Sequence, residues 1–321
     1  MSKLNLTLAL CDYDRTLALK TGDVRPDGVD LNVLTLTPEE IFYRMGRFRE
    51  FDVSELSLST YTIRRGRGES LIAIPVFPSQ SFRHSAIFVR DGAGIREPKD
   101  LRGKRMGVPK YHMTAAVWIR GILEDDYGVA PQDMRWFEGG EGAKVKEVDY
   151  TLPAEIDHHH VPGDRTLGDM LAAGELDAFM GARRPASFGR GVSRLFPDYR
   201  GVERAWYERT GIFPIMHAVV LKEELATQYP WLPRSLYTAF VEAKQHAYAR
   251  LNFTAALLTS LPWQMAEAEE TQALMGDDPF AYGIARNRKN LETLVAYSHR
   301  QGLAPRRLTL EEMFVPSLLD T

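Results

Sequence analysis

The chain has 321 residues, 40 Lys and Arg against 43 Asp and Glu for a formal net charge of −3, with 44% hydrophobic and 26% charged residues. That length exceeds a usual single core and predicts two lobes, and the balance is that of a globular chain. The lack of a basic cluster with interleaved aromatics argues against nucleic acid as a partner. No stretch is apolar for long enough to span a bilayer, and the one cysteine, Cys11, leaves no disulfide and no cysteine metal site.

Taken in order, Leu4, Leu6, Leu8 and Leu10 alternate as in a strand. Asp12, Asp14 and Arg15 follow at once. A secretory leader needs a longer apolar core and a small-residue cleavage site, so the expectation is a cytoplasmic protein. Residues 29–36 form a second strand, and Thr37-Pro38-Glu39-Glu40 supplies a cap, a first-turn proline and a capping-box glutamate. Leu56, Leu58 and the hydroxyl-rich run to Tyr61 read as a strand end and turn, and residues 71–77 as a buried strand ending at Pro78. Residues 85–90 then cross to a second lobe, and 211–221 bring the chain back. Within that lobe, 105–108 is a strand and Thr114 the N-cap of an Ala-rich helix carrying Trp118, Ile119, Ile122 and Leu123. Such a strand-turn-helix passage aims free N–H groups at the turn and suits a carboxylate or phosphate. Lys110, Tyr111 and His112 occupy that turn. Residues 236–258 place Leu236, Phe240, Ala243, Ala247, Leu251, Ala255 and Leu258 on one helical face, ended by Pro262.

The run DLRGKRMGV at 100–108 resembles the second-lobe opening of the type II periplasmic-binding-protein fold. The stretches PVFPSQSFRHSAIFVR (75–90), LAAGELDAFMGARRPASF (171–188), TGIFPIMHAVVLK (210–222) and 274–303 are similar to the 4,5-dihydroxyphthalate decarboxylase family. The resemblance implies an α/β, two-lobed, periplasmic-binding-protein-like fold with a cleft between two mixed, mainly parallel sheets. Lobe 1 would hold residues 1–90 and 212–321, and lobe 2 residues 91–211. It also implies a carboxy-lyase acting on a dihydroxylated aromatic dicarboxylate in phthalate degradation.

In such folds ligands bind beyond the carboxyl ends of the strands. The segments expected to line the cleft are 12–16, 59–62, 79–84, 110–114, 181–184 and 210–217. They collect three of the eight histidines, His84, His112 and His217, together with Arg15, Arg83, Arg183 and Arg184. Arginine forks suit carboxylates, so Arg15, Arg83 and Arg183, with Ser81 and Thr114, are the expected substrate-binding residues. The resemblance favours Arg83 and His84 through SFRHS, and Arg183 through an Arg-x-Pro arrangement. Histidine can donate a proton near neutrality, so His84, His112 or His217 is the expected general acid, the choice being open, with Asp14 as acceptor of a ring hydroxyl proton.

Decarboxylation of such a substrate needs no organic cofactor, and a divalent ion is left open. The run His158-His159-His160 would need a third ligand for a metal, and no Cys or carboxylate spacing accompanies it, so it reads as a polar surface loop. GEGAK at 140–144 and the glycines around 64–68 do not match a phosphate loop. A non-catalytic aromatic-carboxylate binder and another lyase on the same fold stay open as alternatives, as does self-association into a homo-oligomer. No membrane partner is expected.

Overall fold

The computed structural model describes residues 3–139, 148 and 150–321. Strands β1 (Leu4–Leu10), β2 (Val29–Thr35), β3 (Val53–Ser57), β4 (Leu71–Gln80) and β11 (Ile215–Lys222) form one sheet in the order β2-β1-β3-β11-β4. β1 pairs in parallel with β2 and β3, while β11 runs antiparallel to both β3 and β4. A second sheet, ordered β10-β5-β9-β6-β7-β8, is built from β5 (Ile87–Arg90), β6 (Arg105–Val108), β7 (Arg135–Glu138), β8 (His158–His160), β9 (Ala178–Met180) and β10 (Val192–Arg194). Here β9, β6, β7 and β8 are parallel, and β5 runs antiparallel to both of its neighbours, β9 and β10. Two mixed sheets therefore face two lobes, as the resemblance implied. Because β5 is hydrogen-bonded into the second sheet, the chain crosses between sheets through residues 81–86, ahead of β5, and returns through 211–214.

Local chemistry explains most element ends. Thr37 caps the helix Pro38–Phe48 by accepting from the Glu40 backbone N–H at 3.4 Å, with Pro38 in the first turn. The Glu40 carboxylate turns outward to Arg44 at 2.8 Å rather than back to the cap. Arg105–Val108 is a strand as expected.

Four expectations need correction. The hydroxyl-rich run after Leu56 is not a turn. Ser57 caps a helix, Leu58–Gly66, whose Thr62 hydroxyl is satisfied by the Leu58 carbonyl at 2.8 Å. β4 does not stop at Pro78 but continues to Gln80. It is an edge strand with a register shift against β11, and both features tolerate prolines that lack a ladder donor. The N-cap of the helix Thr114–Tyr127 is Met113, not Thr114, whose hydroxyl is engaged elsewhere. Finally, the long C-terminal helix is Leu232–Leu251 and ends at Asn252, so Ala255 and Leu258 lie beyond it and Pro262 instead precedes the helix Gln264–Met275. Asn252 and Thr254 are poor helix formers, and they end the periodic face sooner than the apolar pattern suggests.

The larger apolar core runs through both lobes, with a smaller one around Phe88, Leu171 and Phe179 in the second, and the helix Thr114–Tyr127 joins the lobes. Its Trp118 Nε1 donates to the Ile215 carbonyl at 3.0 Å, and Gln301 donates to the Val117 carbonyl at 3.0 Å. Gly121 faces the Tyr297 ring so closely that no side chain would fit there. No helix among the described residues is long and apolar enough to cross a membrane.

Candidate active site

Parallel strands deliver their following loops to one edge, and in the first sheet that edge collects 11–15 after β1, the helix start at 58–60 after β3, 81–83 after β4 and the start of β11. His217 sits on β11 between Ser57 and Ser79, while Glu55 is two residues back on β3 opposite Val219. Side chains two apart share a face, so Glu55 and His217 are diagonal neighbours. Their closest atoms, Oε1 and Nδ1, are 3.9 Å apart. The Tyr13 hydroxyl reaches the same Nδ1 at 3.4 Å, and the Phe42 ring meets the imidazole edge-on at 4.9 Å.

Glu55 is wholly buried and neither carboxyl oxygen makes a well-formed hydrogen bond. Burial therefore pushes its pKa up to about 8, against the smaller favourable influences of Tyr13, the Cys11 backbone and Arg15. Burial, then the nearby Arg83 and Arg15, push His217 down to about 3. At neutral pH the pair is an un-ionised acid beside a neutral imidazole. Such a pair is not an ion pair, and it can pass a proton once the two atoms close from 3.9 Å to hydrogen-bond distance.

Two guanidinium groups border it. Arg15 donates to the Pro78 carbonyl through Nε at 2.7 Å and lies between the Tyr13 and Phe280 rings, at 4.3 and 4.5 Å. Phe280 is held by Lys244, a buried ammonium paired with Asp278 at 2.6 Å and bonded to the Phe280 carbonyl at 3.0 Å. Arg83 is buried at 9% exposure, and its Nε donates to the Met216 thioether at 3.1 Å, a weak acceptor. No carboxylate lies within ion-pair distance of it among the described residues. Burial lowers its pKa to about 10 against the favourable charge of the more distant Glu203, so it stays charged at neutrality, and a desolvated cation without a direct ion pair among the described residues is a receptor for an anion.

The opposite wall comes from the second sheet. Thr114 Oγ1 accepts from the Ser59 N–H at 3.1 Å and lies 2.9 Å from Ser57 Oγ, linking the two facing helix starts. The buried hydroxyls of Ser59 and Thr60 have no hydrogen-bond partner among the described residues. Arg120, fully buried in the helix Thr114–Tyr127, donates to the Tyr111 carbonyl at 2.8 Å and to Gln301 at 2.8 Å, which fixes the 110–114 turn against the first lobe.

The structure thus groups Arg15, Arg83 and His217, and sets Thr114 across from them. The other expected residues are engaged with other partners. His84 is buried in the crossing segment between Phe196 and Trp206, each 5.5 Å away, and burial lowers its pKa to about 4. Ser81 turns its hydroxyl onto the neighbouring Phe82 carbonyl at 3.1 Å. Asp14 is mostly exposed and holds Arg15 at 3.1 Å. His112 packs beside Tyr150 in the second lobe, with ring centroids 5.3 Å apart. Arg183, 67% exposed, pairs with Glu39 at 2.9 Å across the rim between the lobes, and Arg184 stacks on Phe188.

The histidine run is not a loop but the edge strand β8, paired with β7 so that His158 lies opposite Trp136 and His160 opposite Glu138. A carboxylate does accompany it. Glu138 is 2.7 Å from His158 Nε2 and accepts from the Tyr150 hydroxyl at 3.1 Å. Burial acts to raise the Glu138 pKa, but His158, the charge of nearby His112 and Tyr150 outweigh it and hold the carboxyl below its ordinary range. Sequence reasoning missed both glutamates. Glu55 had a signal, a lone carboxylate in the buried strand VSELS. Glu138 had none, because only sheet register brings it to His158. The motif at 140–144 lies outside the described residues.

No family model matches the chain. A 4,5-dihydroxyphthalate decarboxylase of Comamonas testosteroni is 42% identical over 327 aligned positions, covering 100% of this chain and 99% of that protein. The chain belongs to the 4,5-dihydroxyphthalate decarboxylase family. A second relative of that name, from Pseudomonas putida, is 44% identical over 213 positions, covering 64% of this chain and 83% of that protein. Among solved structures, the alkanesulfonate-binding protein SsuA of Xanthomonas axonopodis pv. citri bound to MOPS superposes with a TM-score of 0.55 at 11% identity, over 98% of this chain and 99% of that one. The periplasmic aliphatic sulphonate-binding protein SsuA of Escherichia coli gives 0.53 at 11% identity, over 100% of both. These likenesses establish the binding-protein fold.

Proposed function

We propose that this family member decarboxylates 4,5-dihydroxyphthalate to protocatechuate and carbon dioxide, with Glu55 and His217 as its proton source. The observation that carries the chemistry is the buried Glu55–His217 pair at 3.9 Å beside Arg83, a buried cation with no ion pair among the described residues. Arg83 and Arg15 hold the retained carboxylate. His217 Nδ1 faces Glu55 and Tyr13, which leaves Nε2 for the ring. The hydroxyl para to the departing carboxylate pushes electron density into the ring. His217 Nε2–H protonates the carbon bearing that carboxylate while Nδ1 takes the Glu55 proton. The bond to the carboxylate carbon then breaks, its electrons restore aromaticity, and carbon dioxide leaves. His217 Nε2 then takes a proton from solvent while Nδ1 returns its proton to Glu55, which restores the starting tautomer and acid, so one proton is consumed per turnover. Positioned proton transfer of this kind is worth roughly 10²–10⁴-fold in rate.

Time-resolved chromatography of 4,5-dihydroxyphthalate incubated with purified protein tests the reading. Protocatechuate and carbon dioxide should grow together in equal amounts. Substrate that binds but is recovered intact over a range of pH would instead make the protein a binding module.

A further inference from the structure

Outside the candidate active site, the second sheet holds a donor set that this reaction does not use. Among the described residues, Glu138, His158 and His160 offer one carboxylate oxygen and two imidazole nitrogens that all lie within 4.8 Å of one another. Strand alternation explains the choice of histidines. His158 and His160 share a face with Glu138, whereas His159 points the other way, stacks on Phe137 at 5.0 Å and pairs with Asp157 at 2.7 Å. The set is also supported from behind. The Tyr150 hydroxyl orients the Glu138 carboxylate at 3.1 Å, and the Tyr111 ring lies edge-on to His158 at 5.7 Å. Glu138 and His158 are each only 13% exposed, while His160 is exposed, so an ion has a way in.

We propose that Glu138, His158 and His160 form a binding site for a first-row divalent metal ion of the zinc class. Two imidazoles and one carboxylate suit such ions, with ligand distances of roughly 2.0–2.2 Å reached by small side-chain rotations. The ion would take the place of the proton shared by Glu138 and His158. It would staple the three-residue edge strand β8 to β7, at the carboxyl edge from which the 110–114 turn also departs. The site is structural. It sets the stability of the second lobe and leaves proton delivery to the first.

The test uses the full-length protein stripped with chelator and titrated with Zn²⁺ by equilibrium dialysis, and with Co²⁺ by its visible absorption. Wild type should bind one equivalent, show ligand-field bands with Co²⁺ and gain thermal stability as Zn²⁺ is added. His160→Ala and Glu138→Gln should weaken binding on the order of 100-fold, and Tyr150→Phe about tenfold. His159→Ala should leave it unchanged. His160 is exposed, so its variant decides the matter even if Glu138→Gln folds poorly. Absence of binding by wild type, or equal losses at His159 and His160, would overturn the proposal.

Discussion

Each lobe pairs a glutamate with a histidine at the carboxyl edge of its sheet, and the two pairs behave in opposite ways. In the first lobe, Glu55 and His217 are 3.9 Å apart, and the carboxyl lacks well-formed hydrogen bonds. In the second, Glu138 and His158 meet at 2.7 Å, and Tyr150 adds a further donor. Burial alone leaves Glu55 protonated near neutrality, whereas burial with hydrogen bonds keeps Glu138 ionised. The residue types are the same, and the hydrogen bonds and nearby positive charge that outweigh burial at Glu138 but not at Glu55 decide between an anionic ligand and a proton reservoir. One lobe is built to lose a proton, the other to hold a cation.

The sharpest way to break this contrast is to neutralise each pair. Glu55→Gln and His217→Gln should each lower kcat by roughly 10²–10⁴-fold while phthalate, a non-reactive analogue, still binds. Glu138→Gln, measured at low temperature, should keep kcat near wild type. Comparable losses of kcat in both lobes would erase the distinction. Recognition comes next in size. Arg83→Ala should weaken phthalate binding by about 2–5 kcal/mol, because a desolvated carboxylate loses its partner. Arg307→Ala, far along the chain, should change little. Calorimetry with phthalate measures both, and equal losses would mean general destabilisation.

How much of this was legible in sequence varies with how local the cause is. The alternation at Leu4–Leu10, the Thr37 cap and the strand at Arg105–Val108 are written in adjacent residues, and all three form as read. The cleft segments followed from topology, which supplied Arg15, Arg83 and His217. Topology names a loop but not where a ring points. His84 therefore looked equivalent to His217, although the turn through 84–86 sends it between Phe196 and Trp206. Glu55 was obscured because the hydroxyl run beside it read as a turn, when Ser57 in fact starts a helix and Glu55 ends up in the middle of a buried strand. Glu138 stands twenty positions from His158, and parallel register rather than any short spacing brings them together.

The central claim, that a protonated Glu55 supplies the reaction, is tested most directly by the pH dependence of kcat/KM for wild type and for Glu55→Gln. Glu55 titrates at about 8 and His217 at about 3 in the folded chain. A raised carboxyl is charged only above its shifted pKa, so the donor is present below about 8 and lost above it. Wild-type activity should therefore run level through neutrality and fall toward tenfold per pH unit beyond about 8. The residual activity of Glu55→Gln should lack that fall. A wild-type profile that stays level well into the alkaline range, or the same alkaline fall in the Gln variant, would contradict the account.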